Sequence, residues 1–177
     1  MSNDSWAHIE PDARYTPQIS VLVQMMNYAR MTTLHAVQGL TTQQLDAVPQ
    51  GFSNSIGMLL AHIAAVDRLY HHVSFEERAY EEADPAMLGA LSMGTEGPPP
   101  PTGQSLNGLL AELEASRAAT LKAFGGKDDR WLASRLTVPG FEAMNHHWAW
   151  FHVMEDEVSH RGQIRILRKQ ASQGETG

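Results

Sequence analysis

The chain has 177 residues, 42% of them apolar, and a formal net charge of −7; that is enough for one domain with a sizeable core and excludes a disordered chain. The acidic balance, with a pI near 5.7 and no large Lys/Arg cluster, argues against a nucleic-acid partner. There are no cysteines, hence no disulfides, thiolate ligands or cysteine nucleophile.

The opening residues, MSNDSWAHIEPDARY, lack the basic start and apolar core of a signal peptide. No apolar run approaches the roughly 20 residues that span a bilayer. A cytoplasmic protein with no membrane contact is expected. Residues 1–15 read as a polar N-terminal arm. Thr16 and Pro17 suit the N-cap and first position of a long helix. Ile19, Leu22, Val23, Met26, Thr33, Leu34 and Val37 follow at helical spacing, and Gly39 suits the position just past its end. Thr41 and Gln44 form a capping-box pattern, with Leu40 and Leu45 as a hydrophobic staple. Pro49 and Gly51 limit that segment to a single short turn.

A second long helix is expected from about residue 53 to about residue 80, with Ser55, Met58, Leu59, Val66, Leu69 and Val73 on one face and His62 at its centre. Residues 84–104 then turn loop-like. The four prolines at 98–101 exclude helix and favour an extended polyproline segment. Asp84-Pro85 can start one short helical turn. A connection this long suits a crossover along a bundle better than a hairpin.

The third long helix, about 105–124, turns Leu106, Leu109, Leu110, Leu113 and Leu121 inward and stops at Gly125-Gly126. Residues 127–144 read as a loop with short extended pieces. Asn145 caps a fourth long helix reaching about residue 170, and residues 171–177 read as a disordered tail. The expectation is a single all-α domain over 1–177, a four-helix bundle with a long crossover between its second and third helices.

The fourth long helix carries the chemistry. Asp156 and His160 are four residues apart, one turn on the same side. With His160 at zero on a helical wheel, Asp156 falls about 40° away, within the arc of Ala149, Val153, Ile164 and Leu167. A carboxylate and an imidazole thus sit in an apolar stripe, where an unpartnered carboxylate is expensive. Two donors spaced by four, with His62 from a facing helix, can chelate a divalent ion and leave a position for water or substrate. Zinc, nickel, iron(II) and manganese all suit imidazole and carboxylate.

Simpler readings stand beside this one. An Asp/His pair at that spacing is usually an ion pair, and a lone core histidine is usually hydrogen-bonded. His152 can alternatively pair with Asp156, but it lies about 12 Å of rise from His160 and about 80° round the wheel, which suits a pocket wall. Glu157, about 60° off-centre, reads as a surface partner of Arg161. His71-His72 and His146-His147 read as surface or capping residues, and Trp148 and Trp150 as packing. Gly162 in mid-helix hints at close approach by another backbone, from a second helix or a second subunit.

Residues 30–45, NSIGMLLAHIAAVD (54–67) and HVMEDEVSHRGQI (152–164) resemble the DinB/YfiT-like superfamily of metal-binding helical bundles. The resemblance covers the first, second and fourth long helices, and its specificity lies in pairing the AHIA histidine with the SHRGQI histidine. It implies a four-helix bundle, commonly a homodimer, with a divalent metal on His62, Asp156 and His160; Asp156 stands where the family usually has histidine or glutamate. Zinc or nickel is the expected ion, with iron or manganese as alternatives. The resemblance further implies a small thiol cofactor, for which His152 and Gln163 are the expected binding residues. The leading expectation is a thiol-dependent S-transferase whose metal activates a low-molecular-weight thiol against a small-molecule electrophile. A hydrolase using metal-bound water and a non-catalytic, stress-associated metal-binding dimer are the alternatives, and a two-histidine-one-carboxylate iron oxygenase has the same ligand set.

Overall fold

Pro17 fixes the first φ of helix α1, Pro17–Val37, and the chain leaves it through Gly39, whose φ of +78° is the left-handed region that favours glycine. A computed structural model describes residues 8–93, 95 and 102–174, with side chains through 171. Thr16 stands at the N-cap but does not cap through its own side chain. Its hydroxyl donates instead to Asp129 Oδ1, which also accepts the Gln18 N–H at 3.1 Å. The start of α1 is therefore capped from more than 100 residues away in sequence.

Helix α2, Thr42–Asp46, has the expected capping box, with the Gln44 N–H on Thr41 Oγ1 at 3.2 Å and the Thr41 N–H on Gln44 Oε1 at 3.0 Å. Helix α3, Ile56–Ser74, is capped by Ser55, whose Oγ accepts the Met58 N–H at 3.2 Å. It ends six residues before the expected Tyr80. Glu77 takes a left-handed φ of +54°, and the His72 ring nitrogen donates to the Ala79 carbonyl at 2.9 Å, fastening the turn. That turn puts Phe75 against Phe124, Trp131 and Trp150. A 3-10 turn, Tyr80–Glu82, follows.

The crossover holds more helix than expected. Asp84 accepts the Ala86 and Met87 N–H groups and caps α4, Pro85–Leu91, a helix of two turns that buries Met87 and Ala90. The four prolines at 98–101 lie outside the described residues, as do 1–7 of the arm and 175–177 of the tail. Helix α5 is Leu106–Phe124. The stretch expected as loop contains α6, Asp129–Ala133, capped by Asp128. Only an isolated bridge, Arg135 to Asn145, gives extended character there. Asn145 Oδ1 accepts the Trp148 N–H at 2.8 Å and starts α7, His146–Gly174, which continues into the expected tail.

The described residues are thus all-helical, with seven α-helices and no strand. Helix α3 packs against α4, α5 and α7, and α1 lies along α7. One apolar cluster centres on Ile19, Met26, Tyr70, Phe124 and Trp150, and a second on Leu45, Leu60, Leu113 and Ile164. Along α1, α5 and α7, charged residues mark the change from one cluster to the other. Arg30 grips Glu157 through Nε–Oε1 at 2.9 Å and Nη2–Oε2 at 3.4 Å. Arg117 bridges Glu157 Oε2 at 3.0 Å and Asp67 Oδ2 at 2.9 Å, and Arg30 Nη2 lies 3.6 Å from Asp67 Oδ2. The Thr120 hydroxyl donates to Asp67 Oδ1 at 2.6 Å, and the arginines also donate to the Leu113 and Met26 carbonyls. This ring of two cations and two anions joins all four long helices. Glu157, expected at the surface, is 1% exposed, because its own carboxylate faces the guanidinium groups of α1 and α5.

Candidate metal centre

His62 is carried by α3 and Asp156 and His160 by α7, and the packing of those helices brings the three together. One donor atom from each lies within 4.8 Å of the others. Asp156 Oδ1 is 3.5 Å from His62 Nε2 and 3.4 Å from His160 Nε2, and the imidazole centroids are 4.7 Å apart with planes 75° from parallel.

The second nitrogen of each ring is also engaged. His62 Nδ1 donates to the Ala90 carbonyl of α4 at 3.2 Å. His160 Nδ1 donates to Gln163 Oε1 at 3.4 Å. A histidine that gives its Nδ1 proton to an outer acceptor presents Nε2 as a lone pair, the arrangement seen behind metal ligands. Two such lone pairs and a carboxylate oxygen here face a common point, and that cluster requires a cation, a proton or a metal ion, at its centre. Asp156 Oδ2 is buried with no hydrogen-bond partner. The donor set and this orphaned oxygen fit a divalent ion with at least one position left open.

The electrostatics agree. Burial opposes the Asp156 carboxylate, but the facing His160 and His62 imidazoles outweigh it and hold the carboxyl below the usual range. Burial likewise opposes charge on His160, yet Asp156, then Gln163 and Glu155, raise its pKa above 6.5. A metal ion bound there would compete with a proton for the His160 nitrogen that faces Asp156.

The converging donors do not include His152. It is half-buried, with Nδ1 3.2 Å from Glu155 Oε2. Its ring stacks on Trp148 with centroids 5.1 Å apart and meets the edge of Tyr70 at 5.8 Å. Tyr70 is pushed up to about 12, first by burial and then by the Asp156 charge. Tyr70, His152 and Trp148 thus form an aromatic wall on the Asp156 side. Trp150 packs in the core as expected, but Trp148 is 46% exposed. Gln163 is exposed and touches the site through His160.

Of the paired histidines, His147 is exposed as expected and His71 is partly buried, but the other two depart from a surface role. His72 and His146 are buried, and His146 stacks on Trp131 with centroids 4.1 Å apart. Among the described residues, apart from its chain neighbours and its own helix backbone, nothing lies within 4 Å of the position a Gly162 Cβ would take, so none of the described helices makes the expected close approach. Two contributors carry no motif of their own in the sequence. Ala90 acts through its backbone carbonyl, signalled only by the Asp84-Pro85 helix start, and Tyr70 lies eight residues beyond His62, about 80° round the same helix.

No helix among the described residues is long and apolar enough to cross a membrane. A comparison with curated proteins finds no match. The family model described as Mycothiol-S-transferase matches residues 21–173. By that match the chain belongs to the mycothiol S-transferase family, a branch of the DinB/YfiT-like superfamily.

Proposed function

We propose that the protein is a divalent-metal-dependent thiol S-transferase, with His62, Asp156 and His160 as metal ligands and mycothiol, the thiol in the family's name, as donor. The observation that carries this reading is the convergence of two Nε2 atoms, on rings fixed through their Nδ1 hydrogen bonds, on a carboxylate whose second oxygen has no partner. Zinc or nickel fits the ligand set best, with iron or manganese as alternatives. Bound there, the ion supplies Lewis acidity that lowers the pKa of a coordinated thiol.

The residues' own roles follow from their contacts. Ala90 and Gln163 hold the two imidazoles in orientation, and Asp156 places a negative charge beside them. The thiol's proton leaves to solvent, its sulfur bonds to the electrophilic carbon, and the bond to the leaving group breaks. The chain has no cysteine, so no internal thiol competes for the electrophile. We assign the wall of Tyr70, His152 and Trp148 to binding the organic part of thiol or acceptor, where flat faces favour apolar groups.

The same reading takes the four long helices as a DinB-like four-helix bundle in one domain over 1–177, working in the cytoplasm. Its expected partner is a second copy. On α7, exposed Val158 and Ile166 lie four residues either side of Gly162, and Glu155 and Lys169 seven either side. An antiparallel crossing of two α7 helices at Gly162 sets Val158 against Ile166 and Glu155 against Lys169, a self-complementary face. Val158→Glu should then leave a monomer in sedimentation.

The deciding experiment loads the protein with zinc or nickel and follows conjugation of mycothiol to a fluorogenic alkylating electrophile. Conjugation that needs both metal and thiol, and that disappears in His62→Ala, supports the transferase. Turnover of an ester or amide without thiol would favour metal-bound water and hydrolysis. Stoichiometric metal that accepts no exogenous thiol would leave a structural ion.

A further inference from the structure

The ring of Arg30, Asp67, Arg117 and Glu157 shares helices α3 and α7 with the proposed ligands. Glu157 follows Asp156 on α7, and Asp67 is five residues after His62 on α3. All four are at most 6% exposed. A buried ion pair is poor support for stability, since apolar residues of similar size often serve as well or better. What a buried ring of forked hydrogen bonds does provide is fixed geometry.

We propose that this ring is a positioning device for the metal centre: it sets the rotation of α7 about its own axis and the seating of α3, so that Asp156 and His160 meet His62. The reading rests on the metal site proposed above. Arg30 holds both oxygens of Glu157, and Arg117 holds Glu157 and Asp67 together, so α7 and α3 are pinned to the same two guanidinium groups. A side-chain tip lies about 5–6 Å from its helix axis, so an axial rotation of about 10° moves it about 1 Å. Metal–ligand distances tolerate about 0.2 Å. The apolar packing of α7 through Val153, Ile164 and Leu167 is non-directional and leaves more rotational freedom than that. The forked contacts of Glu157 remove it.

The test compares wild type with Glu157→Gln and with Arg30→Lys, which keeps the charge but loses the fork. Three quantities are read: the melting temperature of metal-free protein, the zinc dissociation constant by chelator competition, and the visible spectrum of the cobalt(II) form, which reports ligand geometry. Both variants should bind zinc about 10–100-fold more weakly, as loss of an outer-shell partner does, and give a changed cobalt spectrum. Where Glu157→Gln does not fold, Arg30→Lys and Thr120→Val, which loosens Asp67 by one hydrogen bond, carry the same readings. Variants that melt lower but bind zinc with wild-type affinity and an unchanged cobalt spectrum would overturn the proposal and leave the ring a purely structural feature. Failure of wild type itself to bind zinc or cobalt would overturn the metal site, a separate outcome.

Discussion

The metal site makes its first claim on stability. An ion that binds only the folded chain stabilises it by RT ln(1 + [L]/Kd), about 2.7 kcal/mol at 100 times Kd. For a chain of 177 residues each kcal/mol moves the melting temperature by roughly 2–4 °C, so zinc or nickel at that excess should raise it by roughly 5–11 °C. Asp156→Ala takes away the group standing 3.5 Å and 3.4 Å from the two Nε2 atoms. Affinity should fall by at least the ~10–100-fold that an outer-shell loss costs. At the same ion concentration that leaves roughly 0.4–1.4 kcal/mol of stabilisation, half the wild-type shift or less. The metal-free variant should fold, because the deletion also removes the unpartnered Oδ2. Thermal melts with and without ion, on protein stripped by chelator, give the answer. A wild-type melt that ignores every divalent ion, or an Asp156→Ala shift equal to wild type, refutes the assignment.

Other consequences can be measured alongside. In the metal-free chain, the raised His160 pKa contributes stability below its unfolded value of 6.5 and loses it as pH rises through the folded value. The depressed Asp156 contributes above 3.8 and loses it as pH falls through its folded value. Metal competes with protons for a histidine whose pKa is raised above 6.5, so zinc affinity should climb as pH rises past that value, and a flat profile would contradict the assignment. Asp84→Ala removes the cap of α4 and should cost about 1 kcal/mol in denaturant melts. It should also weaken zinc binding, because α4 carries the Ala90 carbonyl that holds His62; unchanged affinity would show that α4 is seated without its cap. Ser74→Ala leaves the buried Trp150 N–H, now 2.9 Å from Ser74 Oγ, without an acceptor and should cost about 1–3 kcal/mol.

The four long helices were legible because each has its own start signal and a stripe of 3.6 periodicity; Pro17, Ser55, Ser105 and Asn145 lie where the sequence places them. The three proposed ligands were legible for the same reason, as polar residues centred on apolar stripes. The ring shows where that logic stopped short. Arg30 is four residues past Met26 and Glu157 four past Val153, so both sit on core stripes too, yet the wheel of one helix makes Glu157 a surface partner of Arg161. Its partners come from other helices, and a single helical wheel cannot show them. The early end of α3 depends on Phe75 reaching an aromatic cluster built from α5, α6 and α7, which is tertiary information. The Ala90 carbonyl has no sequence signature at all, since every residue has one.

The closed ring also constrains how this sequence can drift. Losing one arginine leaves a buried negative charge uncompensated, and losing one carboxylate a positive one, so single changes are penalised by several kcal/mol while concerted replacement by apolar residues is not. Positions 30, 67, 117 and 157 should therefore behave as one inherited unit, all retained or all exchanged. Because Glu157 is fused to Asp156 and Asp67 rides with His62, a lineage that discards the ring has also to rebuild the footing of its metal ligands.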